Sequence, residues 1–182
     1  MEKNAARVIA LGTFDGMHPG HRAVIRACVL LAREKHAEAM VYTFIENPKS
    51  LFGPKPLQLM TPEEKTAAIL GLGVDRVENV HFTRALADMQ PEAFVDMLCL
   101  AYRPCAFVCG EDYSFGAGGR GTSGMLKSLA ADRGAQTLIV PTVKVQTKVG
   151  NCDEKISSTL IREAILRGDE ETASRLLKGE AL

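Results

Sequence analysis

Charge of a prevailing sign is the first thing this sequence lacks: 22 Lys and Arg residues balance 22 Asp and Glu residues, for a formal net charge of +0. Without a basic excess there is no electrostatic case for nucleic acid or an anionic membrane as partner, although a local phosphate pocket fits the balance. Long apolar runs are missing as well. The run Val8-Ile9-Ala10-Leu11 is too short for a signal-peptide core or a membrane span, so a cytoplasmic protein is expected. Paired cysteine motifs are absent. The five cysteines (Cys28, Cys99, Cys105, Cys109, Cys152) include no Cys-x-x-Cys and read as reduced structural thiols. Only Cys105 and Cys109 are close in sequence and nothing supplies further ligands at a usual spacing, which argues against a zinc site. Internal repeats and low-complexity segments are lacking too. What remains is ordinary globular composition, 46% hydrophobic and 24% charged over 182 residues, enough for one domain with a real core.

The chain alternates between two kinds of segment. Segments at residues 7–11, 39–44, 76–80, 106–109 and 137–140 are read as strands. Helices are predicted over 23–36, 62–70, 91–100, 122–133, 158–167 and 170–177. Thr61 with Glu64 forms a capping-box pattern, and Pro91 suits a first helical turn. Strands alternating with helices predict an α/β fold: a doubly wound parallel sheet with helices on both faces, three layers in all. Ligands of such sheets sit beyond the C-terminal strand ends, near the point where strand order switches. Two longer stretches, 46–59 and the glycine-rich 116–124, are predicted as loops, and long loops in a compact domain are more often functional than idle.

Two strings suggest chemistry. Gly12-Thr13-Phe14-Asp15-Gly16-Met17-His18-Pro19-Gly20-His21 follows a predicted strand and precedes a helix. Its glycines allow a sharp turn and close approach to a ligand, and the helix start that follows offers free N–H groups to a phosphate. Two of only four histidines fall here, where His18 and His21 can donate to that phosphate. Surface histidines on an ordinary loop are the plainer reading of the same string. The second string is Ile156-Ser157-Ser158-Thr159-Leu160-Ile161-Arg162. Ser157 or Ser158 can cap a helix, and Arg162 lies one turn further on. An ordinary cap with a solvated arginine is the plainer reading there.

Together the strings resemble the nucleotidylyltransferase superfamily, and more closely the adenylyltransferase module of bacterial FAD synthetases. The resemblance extends over nearly the whole chain: Asn47-Pro48 after Phe44, Leu59-x-Thr61 with Glu63-Glu64-Lys65, Leu72-Gly73-Val74-Asp75, Pro91-Glu92-x-Phe94-Val95, Gly110-Glu111-Asp112-Tyr113-Ser114-Phe115-Gly116, and Gly168-Asp169 ahead of Leu176-Leu177. It implies a Rossmann-like nucleotidylyltransferase fold over residues 1–182 and transfer of AMP from ATP to FMN, giving FAD and pyrophosphate. It implies that His18 and His21 stabilise the transferring phosphates, while Ser157, Ser158, Thr159 and Arg162 hold the departing pyrophosphate. Gly12, Thr13, Phe14 and Gly20 would line the ATP crevice, with Gly110 and Asp112 near ribose or adenine. Asn47, Pro48, Phe44 and Phe115 are the expected FMN contacts. Mg²⁺ is expected to accompany ATP, held by phosphates and water with no dedicated protein site. Asp15 reads as a loop-ordering residue in preference to a general base, because FMN's phosphate is already ionised at neutral pH.

Three departures stand out. Asn47 occupies a position where many relatives carry histidine, but it can still hydrogen-bond. Ser114 replaces a usual basic residue; if that base touches a phosphate, turnover or FMN affinity is expected to be lower. The chain also ends at Leu182, where the common bacterial enzyme continues into a riboflavin kinase domain. Riboflavin phosphorylation is therefore not expected of these residues, and a separate riboflavin kinase would supply FMN. Competing readings are a related acceptor (pantetheine phosphate, nicotinamide mononucleotide, or glycerol phosphate with CTP) and a non-catalytic flavin- or nucleotide-binding module.

Overall fold

The computed structural model describes residues 6–146 and 153–180, and Cys152 lies outside them. The sheet comprises β1 (Arg7–Leu11), β2 (Glu38–Phe44), β3 (Arg76–Val80), β4 (Pro104–Gly110) and β7 (Gln136–Val140), in spatial order β3-β2-β1-β4-β7. Every neighbouring pair is parallel. Parallel strands need crossovers, which α1 (Pro19–Glu34), α2 (Pro62–Leu70), α3 (Arg84–Ala87), α4 (Pro91–Tyr102) and α5 (Ser123–Ala131) supply.

The period-2 alternation of the strands assigns side chains to two cores. Val8, Ala10, Val41, Ala106 and Val108 face Val24, Ile25, Cys28 and Ala32 of α1 and Ile69 of α2. On the opposite face, Ile9, Leu11, Met40, Phe107 and Cys109 meet Phe94, Val95 and Leu98 of α4 with Leu126 and Ala130 of α5. This is the expected three-layer arrangement. Strand β1 connects to β2 on one side, whereas β4 lies on its other side. The C-terminal ends of β1 and β4 therefore flank the topological switch, where a crevice opens.

Several boundaries differ from those predicted. Helix α1 begins at Pro19, not at residue 23, with His18 as its N-cap. Proline at the first helical position is pre-organised for the turn, and the polar Gly20-His21-Arg22 set lacks the apolar spacing that marks the rest of the helix. The stretch 116–124 is not simply a loop. Its residues enter an antiparallel hairpin of β5 (Ser114–Phe115) and β6 (Gly121–Thr122), closed by a 3-10 turn at Ala117–Gly119, and α5 already begins at Ser123. The stretch 46–59 contains a 3-10 turn at Pro48–Leu51, with Asn47 accepting from the Lys49 amide. A second hairpin, β8 (Lys144–Gln146) with β9 (Asp153–Lys155), was not foreseen. It leads to α6 (Ser158–Leu166) and α7 (Glu170–Lys178), which bury Val145, Ile156, Ile161, Ala164, Ala173 and Leu176 in a third, smaller core. Leu59 packs on that core, and a Cβ placed on Gly179 would fall 2.7 Å from Pro19 at the start of α1. The rear of the chain thus lies against the loop that follows β1.

Candidate active site

The β1–α1 loop has an unusual backbone. Gly16 has φ 84°, but Phe14 (φ 50°) and Met17 (φ 43°) also occupy the left-handed region, which side chains this large seldom adopt. Packing holds them there. Phe14 is 1% exposed, its ring so close to Gly12 that a Cβ on that glycine would lie 2.7 Å away. The ring meets His21 edge-on, with centroids 5.5 Å apart.

His18 and His21 stack in the first turn of α1, ring centroids 3.7 Å apart and planes inclined by 24°. Each retains a buried Nδ1 without a hydrogen-bond partner among the described residues. Burial lowers the His18 pKa to about 4, with Lys155 acting in the same direction and Asp112 against it. Burial also holds His21 well below the usual histidine value, reinforced by His18, Lys65 and Arg162. At neutral pH both rings are uncharged. Each offers one N–H donor at a helix N-terminus, where an anion is favoured.

The rear string meets this loop directly. Ser157 caps α6 by accepting from the Leu160 amide at 3.2 Å. Ser158 Oγ donates to the Asp15 carbonyl at 2.7 Å. Arg162 donates through Nε to the Leu57 carbonyl at 2.6 Å and through Nη2 to the Asp15 carboxylate. The Leu59 amide donates to the other Asp15 oxygen at 3.2 Å. The Asp15 and Arg162 side chains are each 11% exposed. Asp15 therefore ties three segments together, a placement that suits loop ordering. Arg162 reaches the front loop, and part of its donor set is already engaged there.

A cleft of about 660 Å³ opens over these groups, within the range of small-molecule sites. The structure brings all the sequence-predicted site residues to its wall: Gly12, Thr13, Phe14, His18, Gly20 and His21 from the front; Phe44, Asn47 and Pro48 beyond β2; Gly110, Asp112 and Phe115 beyond β4; Ser157, Ser158, Thr159 and Arg162 from the rear. Phe115 is only 6% exposed and packs between Phe94 and Tyr113, so it contributes to the core as well as the wall. Phe52, Phe82, Tyr113 and Lys155 also line the cleft and were not singled out from the sequence. Lys155 pairs with Asp112 across the rim. Lys65 was also missed as a site residue: it is buried, with Nζ 2.5 Å from the Phe44 carbonyl and 3.4 Å from that of Thr13. Among the described residues no group of three or more His, Cys, Asp or Glu side chains is placed to hold a metal ion, and no helix is long and apolar enough to cross a membrane.

Fold and site together define a Rossmann-like α/β protein with a nucleotide-sized cleft at the sheet's switch point, walled by neutral imidazoles and two helix N-termini. Residues 1–160 match the family model described as FAD synthetase, and the chain belongs to that family. It is 37% identical over 174 residues to a bifunctional riboflavin kinase/FMN adenylyltransferase of Listeria monocytogenes, covering 94% of this chain and 53% of that protein. The protein of the same description from Bacillus subtilis is 34% identical, with coverage of 97% and 54%. A putative bifunctional enzyme of Geobacillus thermodenitrificans is 33% identical, with coverage of 93% and 88%. The chain thus spans about half the length of the first two relatives. Among solved structures, a Streptococcus pneumoniae protein described as a macrolide-efflux protein superposes with a TM-score of 0.83 at 30% identity, over 98% of this chain and 57% of that one.

Proposed function

We propose that residues 1–182 form one FMN adenylyltransferase domain, which transfers AMP from ATP to FMN and releases pyrophosphate. Family membership and the FMN adenylyltransferase relatives support this reading. The observation that carries it is the meeting of the stacked imidazoles with Ser158 and Arg162 around one loop at one cleft. An FMN phosphate oxygen attacks the α-phosphorus of ATP, a new P–O bond forms, and the bond to the β-phosphate bridging oxygen breaks. No covalent enzyme intermediate is required. Catalysis then rests on aligning two polyanions and stabilising the charge that develops between them.

His18 and His21 donate to the α- and β-phosphates. Their neutrality suits this role, because a neutral donor strengthens as charge builds without competing for a proton beforehand. Ser157, Ser158 and Thr159, at the start of α6, hold the leaving pyrophosphate with the Arg162 donors not committed to Asp15 and Leu57. Gly12, Thr13, Phe14 and Gly20 line the ATP path, and Gly110 and Asp112 contact ribose or adenine. FMN lies against Phe44, Asn47, Pro48 and Phe115. Mg²⁺ would enter with ATP, with no dedicated protein ligands, and would supply positive charge against the phosphates. A riboflavin kinase activity supplies FMN, and the cytoplasm is the site of action.

Incubation with ATP, Mg²⁺ and FMN is expected to yield FAD by chromatography and equimolar pyrophosphate. Parallel reactions with pantetheine phosphate, nicotinamide mononucleotide, and glycerol phosphate with CTP test the related acceptors. Product from one of these and none from FMN would reject FMN as acceptor. Tight FMN binding without pyrophosphate release would leave a binding module.

A further inference from the structure

Lysine is rarely buried without a reason, because its ammonium loses hydration that must be replaced. Lys65 is 6% exposed and projects from α2, whose start is fixed by a reciprocal capping box between Thr61 and Glu64. Its hydrogen bonds go to two main-chain carbonyls, those of Phe44 at the end of β2 and Thr13 just beyond β1. The Thr13 carbonyl also accepts from Thr43 Oγ1 at 3.0 Å, and Thr43 is fully buried.

In a trans peptide the C=O and N–H of one unit point in opposite directions. Drawing the Thr13 carbonyl toward Thr43 and Lys65 therefore turns the Phe14 N–H the other way. That N–H has no partner among the described residues, and Phe14 lies on the cleft wall. We infer that Lys65 is a positioning residue: by clamping the Thr13 and Phe44 carbonyls it aims the Phe14 N–H at a nucleotide phosphate in the cleft. The inference rests on the adenylyl-transfer reading and adds to it a residue outside the cleft wall. A second consequence concerns His21. Its charged or titratable neighbours are His18, Lys65 and Arg162, each disfavouring protonation of the ring. The Lys65 ammonium thus helps to keep the donor neutral from behind the loop.

The test compares wild-type protein with Lys65→Met, which keeps the aliphatic stem and removes the donors. In Lys65→Met, kcat is expected to fall about 10- to 100-fold, less than the loss of a whole transition-state donor, with KM for FMN changed less than about threefold. The acid limb of the kcat–pH profile should move to higher pH, because one positive neighbour of His21 has gone. In ¹⁵N-labelled wild-type protein the Phe14 amide resonance should shift on adding Mg²⁺-ATP, and that shift should be lost in the variant. Unchanged kcat, acid limb and Phe14 shift in a folded Lys65→Met protein overturn the inference. If that variant fails to fold, Thr43→Val decides: a lower kcat at constant FMN KM supports the clamp, and wild-type kcat overturns it. Absence of FAD from wild-type protein instead overturns the reaction reading, and this inference with it.

Discussion

The imidazoles of His18 and His21 are neutral because protein, not water, surrounds them, and this has consequences for stability and rate. His18 has a folded pKa of about 4 against 6.5 for the free side chain. Between those values the unfolded chain binds the extra proton, so this contribution to stability falls as pH drops from about 6.5 to 4. At about 1.4 kcal/mol per unit the full loss is about 3 kcal/mol. Urea unfolding at pH 7 and pH 4.5 should show a smaller acid penalty for His18→Asn than for wild type; equal penalties would contradict the assignment. For His21→Ala, loss of one donor to the transferring phosphates should lower kcat about 10²- to 10³-fold in the FAD assay. His18 and His21 were legible in the sequence because glycines, histidines and a following helix are unusual in combination. Lys65 was not, because a lysine behind two glutamates on a capped helix looks like a solvated side chain. Its burial depends on where the ends of β1 and β2 lie, and only the assembled sheet reveals that. Asp15 was readable as a loop residue, but its partners Leu59 and Arg162 were not, since each is distant in sequence.

At the level of elements, strands β1 and β3 and helix α2 have the bounds read from the sequence; an apolar run marks β1 and a Thr-Pro start marks α2. The N-terminus of α1 was obscured by its polar first turn. Hairpin β5–β6 was obscured for another reason: two-residue strands are too short to show alternation, and glycine suggests freedom where it meets a geometric demand. Gly116 has φ 72°, and a Cβ there would approach the Pro91 backbone nitrogen to 2.9 Å. Gly116→Ala would combine left-handed strain with a backbone clash that no rotamer relieves. A loss of about 2 kcal/mol or more is expected in urea unfolding, together with a higher KM for FMN, because the hairpin carries Phe115. Gly118, also in the left-handed region but with open space around its missing Cβ, provides the contrast: Gly118→Ala carries the conformational cost alone.

On the scale of the molecule, two large cores build the sheet and a third, smaller one holds α6 against the front loop. Leu176 of α7 is fully buried in that third core and is not among the residues that line the cleft. Leu176→Ala should cost about 2–5 kcal/mol of stability by leaving a cavity, and should raise KM for ATP by loosening the seat of Ser157 to Arg162. A thermal shift without any change in that KM would show the third core to be independent of the site. The parallel sheet was readable from alternation alone, whereas the docking of rear on front was implied only by family resemblance, because it arises from contacts between segments nearly the whole chain apart. The bond from Arg162 to Asp15 spans 147 residues. During synthesis the front loop leaves the ribosome before Ser158 and Arg162, which brace it through Asp15. The pairing of β1 with β2 involves only residues 7–42, whereas the Asp15 carboxylate finds its guanidinium partner 147 residues further on. The Asp15 end of the loop is therefore secured only once Arg162 has been made.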